Sequence, residues 1–275
     1  LDEDDKDSSA WCETLARDLD KARKRNASLL HEYADLVSRA DSFFQAMSFS
    51  FLFDAQRHVF HIGYNVESGR LDSSYYDLMA SEARIASLIA IAQGDVPQSH
   101  WLYLARPLTQ INRTRALLSW SGTMFEYLMP ILFVESYTNT LMDQSCHAAV
   151  EEQIQFAAQK DIPWGSSEAS YYAFDSVQVY QYQAFGIPSL GYKRGLSDDM
   201  VVAPYASMLA LPLLPQAVME NVAWLEKLKM WGQYGLYESI DFTPERLKTG
   251  EGHAIIRSFM VHHQGMILLS IHNYL

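Results

Sequence analysis

Apolar residues recur at three- and four-residue intervals over residues 8–47, with charge on the opposite side, so the pattern predicts one long amphipathic helix with Ser9 as its N-cap. The pattern changes over 49–71. Apolar and polar residues alternate around Val59, His61 and Tyr64, and the turn signal Glu67-Ser68-Gly69-Arg70 follows, which predicts a short hairpin. Helical spacing returns over 73–95, where Ser74 and Asp77 stand at capping-box spacing and Gly94 supplies a stop. Residues 101–122 read as loops with short elements, 123–133 as an apolar stretch broken by Pro130, and 138–161 as an amphipathic helix. An aromatic loop is predicted at 162–175 and irregular or strand-like structure at 179–199. Helices follow around 202–209, 215–231 and 253–273, the last two separated by a loop at 234–247. The prediction is an all-α chain of about eight or nine helices joined by long aromatic loops. Paired helices stacked in a ring would form an α/α toroid with a cleft where the loops meet. The spacing is too irregular for a solenoid, and no linker marks an internal boundary.

Composition narrows the class. A chain of 275 residues with 49% hydrophobic and 20% charged residues reads as soluble and globular, with room for one large or two small domains. The net charge of −12 argues against nucleic acid or an anionic membrane as partner and fits a neutral ligand. Sixteen Tyr and six Trp suggest an aromatic-lined cleft. Cys12 and Cys146 read as free thiols, which favours a reducing compartment. The first residues lack the basic and apolar regions of a signal peptide, and no apolar run is long enough to span a bilayer. A start without Met and an end inside an apolar pattern suggest a piece of a longer protein.

Candidate chemistry centres on two glutamates. Glu82 falls on the stripe Leu78, Ile85, Ile89 and Ala92 of its predicted helix. A carboxylate there needs a cavity or a partner such as Arg84. Asp77 reads as a cap. Glu168 lies in the stretch Ile162-Pro-Trp-Gly-Ser-Ser-Glu-Ala-Ser-Tyr-Tyr-Ala-Phe-Asp175, with Trp164 on one side and Tyr171, Tyr172 and Phe174 on the other. Such rings can stack on sugars and desolvate a carboxyl so that it keeps its proton, or they can simply pack around a solvated acid. Cleavage of a glycosidic bond requires two carboxyls, but 86 residues of separation mean that only tertiary structure can bring these together. His262 and His263 point ~100° apart on a helix, a poor geometry for joint metal ligation; at least one reads as a core histidine. No metalloprotease, nucleophile-elbow, P-loop or dinucleotide signature is present, and no cofactor is expected.

Six stretches, 75–97, 120–130, 162–175, 190–211, 234–247 and 261–271, together resemble the glycoamylase-like central domain of cyclic β-1,2-glucan synthases. The resemblance is dense over 71–275, taken as the catalytic domain, and less distinctive over 1–70, taken as N-terminal helices and a hairpin. It implies an (α/α)6 toroid, incomplete in this stretch because twelve helices are needed. It also implies a retaining transglycosylase that closes linear β-1,2-glucan into a ring. Glu82 maps onto the nucleophile and Glu168 onto the acid/base. Arg84, Trp120, Ser121, Glu126, Trp164, Tyr171, Tyr172, Asp175, His262 and His263 map onto cleft positions. The implied partners are the glucan and the glycosyltransferase and phosphorylase-like domains of the same longer chain, on the cytoplasmic side of a bacterial inner membrane. An endo-β-1,2-glucanase and a non-catalytic glucan-holding domain remain open alternatives.

Overall fold

In a computed structural model, residues 3–112 and 114–275 are described, with side chains from residue 8 onward except at 113. Among the described residues eight helices run in order: α1 (Glu3–Ala46), α2 (Arg84–Gln93), α3 (His100–Tyr103), α4 (Met124–Leu128), α5 (Leu141–Gln159), α6 (Pro204–Met208), α7 (Pro215–Lys227) and α8 (Val261–Tyr274). The chain divides into two units, 1–49 and 50–275. The first is essentially α1, whose 44 residues contain no Gly or Pro. The helix therefore continues upstream of Ser9, which lies inside it rather than at its start. The break falls after Phe49, so residues 50–70 group with the second unit.

The all-α expectation is corrected in part. Helix dominates, but among the described residues six small antiparallel sheets of two or three strands also form, in stretches expected to be hairpin, loop, strand-like or helix. The hairpin expected at the 67–70 turn forms between Tyr64–Asn65 and Arg70–Leu71, whereas Val59–His61 is the centre of a separate sheet with Phe53–Asp54 and with Tyr75–Tyr76, the latter taken from the predicted helix. Residues 75 and 76 are extended, the Ser74–Asp77 capping box does not form, and the helix starts only at Arg84. Gly94 does stop it, in the left-handed conformation at φ 78°. The 162–175 loop is also corrected. Glu168–Phe174 is a strand paired with Tyr180–Ala184, whose Tyr/Gln alternation is a strand signature. The 234–247 loop contains Ser239–Asp241, the central strand of a sheet with Val201–Val202 and Ala254–Ile256. That last strand occupies the start of the expected final helix, which begins at Val261 instead.

The core of the second unit forms around Met124, Tyr127 and Leu128 of α4, Ala149 and Val150 of α5, Tyr205 and Leu209 at α6, and Leu225 of α7, all with almost no solvent exposure. Pro130 does not end this apolar region; it sits at the start of a 3₁₀ turn that continues α4, where a missing N–H does no harm. Among the described residues no helix is long and apolar enough to cross a membrane. Cys12 and Cys146 are free thiols.

Candidate active site

Glu82 lies in the turn that leads into α2, not on a helical face. Its carbonyl accepts the Ile85 N–H, and the Ser81 hydroxyl donates to Oε2 at 3.2 Å. Arg84 fixes this turn against α4. Its guanidinium donates to the carbonyls of Ser81 (2.9 Å), Glu126 (2.7 Å) and Tyr127 (2.6 Å). Arg84 is buried, which pushes its pKa down, and its donors point to backbone; its role is to hold Glu82's turn. The N-terminus of α2 adds a favourable field for a negative charge at Glu82.

Glu168 opens its strand opposite Ala184. The Tyr205 hydroxyl donates to the Glu168 carbonyl at 3.0 Å and to Ser167 Oγ at 2.9 Å, and the Phe125 N–H also reaches Ser167 Oγ. Gln153 of α5 brackets Ser166 through both of its backbone groups. Further along, Glu238 and Asp241 accept the N–H groups of Ser170 and Tyr172. The backbone that carries Glu168 is therefore tied to α4, α5, α6 and the three-stranded sheet. Burial pushes the Glu168 carboxyl from 4.5 up to about 8, and the charges of Glu82 and Glu126 push in the same direction.

The two glutamates line one cavity of about 500 Å³ with Tyr75, Tyr76, Asp77, Trp120, Ser121 and Glu126 among its walls. Glu126 contributes a carboxylate already committed to the fold. Oε1 accepts the N–H groups of Trp120 and Ser121, and Oε2 accepts Ser119 Oγ and both the N–H and the hydroxyl of Thr123. With Thr123 it closes a capping box at α4. Burial is the largest influence on Glu126 and moves its pKa up, against the pull of those donors. It therefore shapes the loop that presents Trp120, which is 62% exposed. That loop packs backbone to backbone on the segment around Ile187. Gly122 has φ 68°, and a Cβ there would lie 2.5 Å from the Ile187 carbonyl, while one at Gly186 would collide with Ser121.

The remaining predicted site residues fall outside the walls of this cavity. Trp164 is buried, its backbone hydrogen-bonded in both directions to Asn221. Tyr171 packs on Phe185 and beneath Arg246. Tyr172 meets Phe174 edge to face, and Asp175 holds the turn of the hairpin through the N–H groups of Val177 and Val179. His263 is the core histidine: it bonds Glu238 at 2.9 Å and stacks on Tyr205 at 3.7 Å, while His262 is exposed.

Sequence reasoning missed Tyr76, which lines the cavity with Glu82 and whose ionisation is disfavoured by burial and by the charge of Glu82. The helical reading of 73–95 concealed it, although Tyr76 lies only six residues before Glu82. It also missed Tyr182, whose ionisation is disfavoured by burial and by the charges of Glu168 and Glu238. Asp77, read as a cap, lines the cavity instead. A hollow of about 600 Å³ along α7 and α8 is lined by Met208, Leu211, Met219, Trp231 and other apolar side chains, with no carboxylate, and offers no comparable chemistry. Among the described residues no group of three or more His, Cys, Asp or Glu is placed to hold a metal ion.

Comparison with known proteins gives the family and the fold. Residues 74–275 match the family model Glycoamylase, described as a candidate glucoamylase. The chain is 44% identical over 238 residues to the cyclic β-(1,2)-glucan synthase NdvB of Rhizobium meliloti (strain 1021); the match covers 86% of the chain but 8% of that protein. It shares its fold with a candidate glucoamylase from Bacteroides caccae (TM-score 0.64, 13% identity, 88% of this chain and 60% of that one). It shares it also with an endo-β-1,2-glucanase from Chitinophaga pinensis (TM-score 0.59, 16% identity, 88% of this chain and 59% of that one).

Proposed function

From the premise that the chain belongs to the glycoamylase family, we propose that it is a retaining transglycosylase that acts on linear β-1,2-glucan and closes it into a ring, as one domain of a larger membrane-bound synthase. The observation that carries this reading is the pair of glutamates on one cavity, with Glu168 held up to about 8 beside Glu82. At pH 7 such a carboxyl is protonated by roughly ten to one, which suits a general acid.

In the first half-reaction a Glu82 oxygen attacks the anomeric carbon, the C1–O bond breaks, and the Glu168 proton passes to the departing 2-oxygen. A glucosyl ester forms on Glu82. In the second, the Glu168 carboxylate takes the proton from the 2-hydroxyl at the chain's other end. That oxygen attacks C1 and Glu82 leaves as carboxylate. Esterification removes the Glu82 charge, so the Glu168 pKa falls when a base is needed and rises again when the ring is released. Exposed Trp120 supplies an apolar face for a sugar ring at the cavity's edge. The helices would contribute to an (α/α)6 toroid completed by residues outside this chain. Glycosyltransferase and phosphorylase-like domains would adjoin it on the cytoplasmic side of the inner membrane.

Incubation of the purified chain with linear β-1,2-glucan tests the reading. Cyclic products support it, short linear fragments assign an endo-β-1,2-glucanase, and unchanged chains leave a glucan-holding domain. Activity should fall above about pH 8 as Glu168 loses its proton.

A further inference from the structure

Resting on Glu168 as the general acid/base, we propose that Tyr182 and His262 form the wall of a subsite for the sugar on the far side of the scissile bond: the leaving sugar of the first half-reaction and the accepting sugar of the second.

Tyr182 belongs to the strand that pairs with the strand of Glu168. Glu168 stands opposite Ala184 and Ser170 opposite Tyr182, so Glu168 and Tyr182 are diagonal neighbours on one face of the hairpin. Such neighbours lie ~7–8 Å apart, within reach of an aromatic side chain. The Tyr182 ring is backed by a pile of two more. It stacks on His263 with centroids 6.3 Å apart and planes at 27°, and His263 stacks on Tyr205 at 3.7 Å. Glu238 holds His263 at 2.9 Å and also accepts the N–H of Ser170, while the Tyr205 hydroxyl donates to the Glu168 carbonyl. The pile therefore ties Tyr182 to the backbone that carries the acid. Tyr182 is nevertheless 45% exposed. A ring held on one face and open to water on the other is suited to stack on a sugar. His262 adds the polar part. Its ring lies 4.0 Å from that of His263, it is exposed, and burial followed by the His263 charge holds its pKa below the ordinary value. A neutral imidazole offers one donor and one acceptor to sugar hydroxyls.

The chemistry decides which sugar this wall meets. Glu82 attacks C1 of the donor sugar, so the donor lies in the cavity that Glu82 lines with Tyr75, Tyr76 and Asp77. The Glu168 proton goes to the oxygen between the donor and the leaving sugar. Tyr182 stands beside Glu168 but outside the walls of that cavity, so it flanks the leaving sugar and not the donor. The second half-reaction retraces the first, and the attacking hydroxyl must enter where the leaving oxygen departed. A wall that holds a sugar ring there favours attack by a sugar hydroxyl over attack by water.

The test compares wild type, Tyr182→Ala and Tyr182→Phe on linear β-1,2-glucan and on the β-fluoride of a β-1,2-linked disaccharide. The glucan loses a sugar, whereas fluoride leaves without a ring to stack. Tyr182→Ala should lower kcat/KM for the glucan roughly ten- to thirtyfold, mainly through KM, and change kcat/KM for fluoride release by about twofold at most. Tyr182→Phe keeps the stacking face and should restore the glucan value. With the fluoride as donor and a linear β-1,2-linked oligosaccharide as acceptor, the ratio of transfer to hydrolysis should fall in Tyr182→Ala by a similar factor. Equal losses on both substrates mark a structural role and overturn the subsite. So does an unchanged glucan KM in Tyr182→Ala, or a Phe variant as impaired as the Ala variant. A wild type that only hydrolyses overturns the transglycosylase reading instead, and the comparison of glucan with fluoride still judges Tyr182. If wild type turns over neither substrate, titration calorimetry with the oligosaccharide judges it: binding about tenfold weaker in Tyr182→Ala supports the subsite, and equal affinity overturns it.

Discussion

Neutralising Glu82 should release only part of the Glu168 perturbation, and the amount is bounded by the structure. The rise from 4.5 to about 8 corresponds to ~5 kcal/mol of preference for the protonated form. Burial ranks first among its causes, Glu82 second and Glu126 third, all in the same direction. Glu82 therefore accounts for at most half. The Glu82→Gln substitution should lower the Glu168 midpoint by no more than ~1.7 pH units, leaving it at about 6 or above. Solvent reaching the half-buried carboxyl makes the fall smaller. The substituted protein cannot report through turnover, so the assay is direct titration of ¹³C-labelled glutamate carboxyls by NMR, with Glu168→Gln identifying the resonance. Two results refute the reasoning. If Glu168 titrates near 4.5 in both proteins, its cavity does not desolvate it. If its midpoint is high and unchanged in Glu82→Gln, the two carboxyls do not sense each other, and the switch between acid and base has no source.

Three further outcomes follow from the same geometry. Because the folded pKa of Glu168 lies above its unfolded value, the folded state holds a proton between 4.5 and about 8 that the unfolded chain gives up, so stability falls as pH rises through that window. Glu168→Gln removes this loss: urea denaturation should show equal stability at pH 4 and a variant more stable by up to a few kcal/mol at pH 9. Arg84→Met leaves the carbonyls of Ser81, Glu126 and Tyr127 without their buried donor, and should cost roughly 3–5 kcal/mol in the same assay as well as displacing Glu82. Trp120→Ala, at an exposed position, should leave the melting temperature unchanged and raise KM for linear glucan about tenfold with a smaller effect on kcat.

The two cavity glutamates were legible in the sequence, yet the local structure inferred for each was wrong. Glu82 was placed on a helical stripe by the spacing of Leu78, Ile85 and Ile89, but the residues before it pair as a strand with Phe60 and His61. Periodicity alone cannot register a partner sixteen residues upstream. Glu168 was read as a loop acid because the aromatics of its seven-residue strand do not alternate. The clean alternation lies in the partner, Tyr180-Gln-Tyr-Gln-Ala184, where no chemistry drew attention to it. Helix α5 and the Gly94 stop were legible because spacing and backbone conformation determine them locally. Tyr76 was invisible because it reaches the cavity only through a strand that pairs with Phe60.

Those same errors explain how the site holds its geometry. A carboxyl on a mobile loop would lose to solvent the desolvation that raises its pKa, and would not keep a fixed approach to a second carboxyl. Here Glu168 leads a strand whose first carbonyl accepts the Tyr205 hydroxyl, while Phe125 and Gln153 hold the Ser167 hydroxyl and the Ser166 backbone just before it. Glu82 leads a helix whose first turn is bolted to α4 by Arg84. Glu126 anchors the intervening Trp120 loop with the start of the same α4. All three supports converge on residues 123–128. Five residues of helix, with Glu126 in their capping box, thus connect Glu82, Glu168 and the exposed Trp120. Glu126 accepts five hydrogen bonds, and a buried carboxyl group so held keeps its loop rigid where a solvated one would let Trp120 drift.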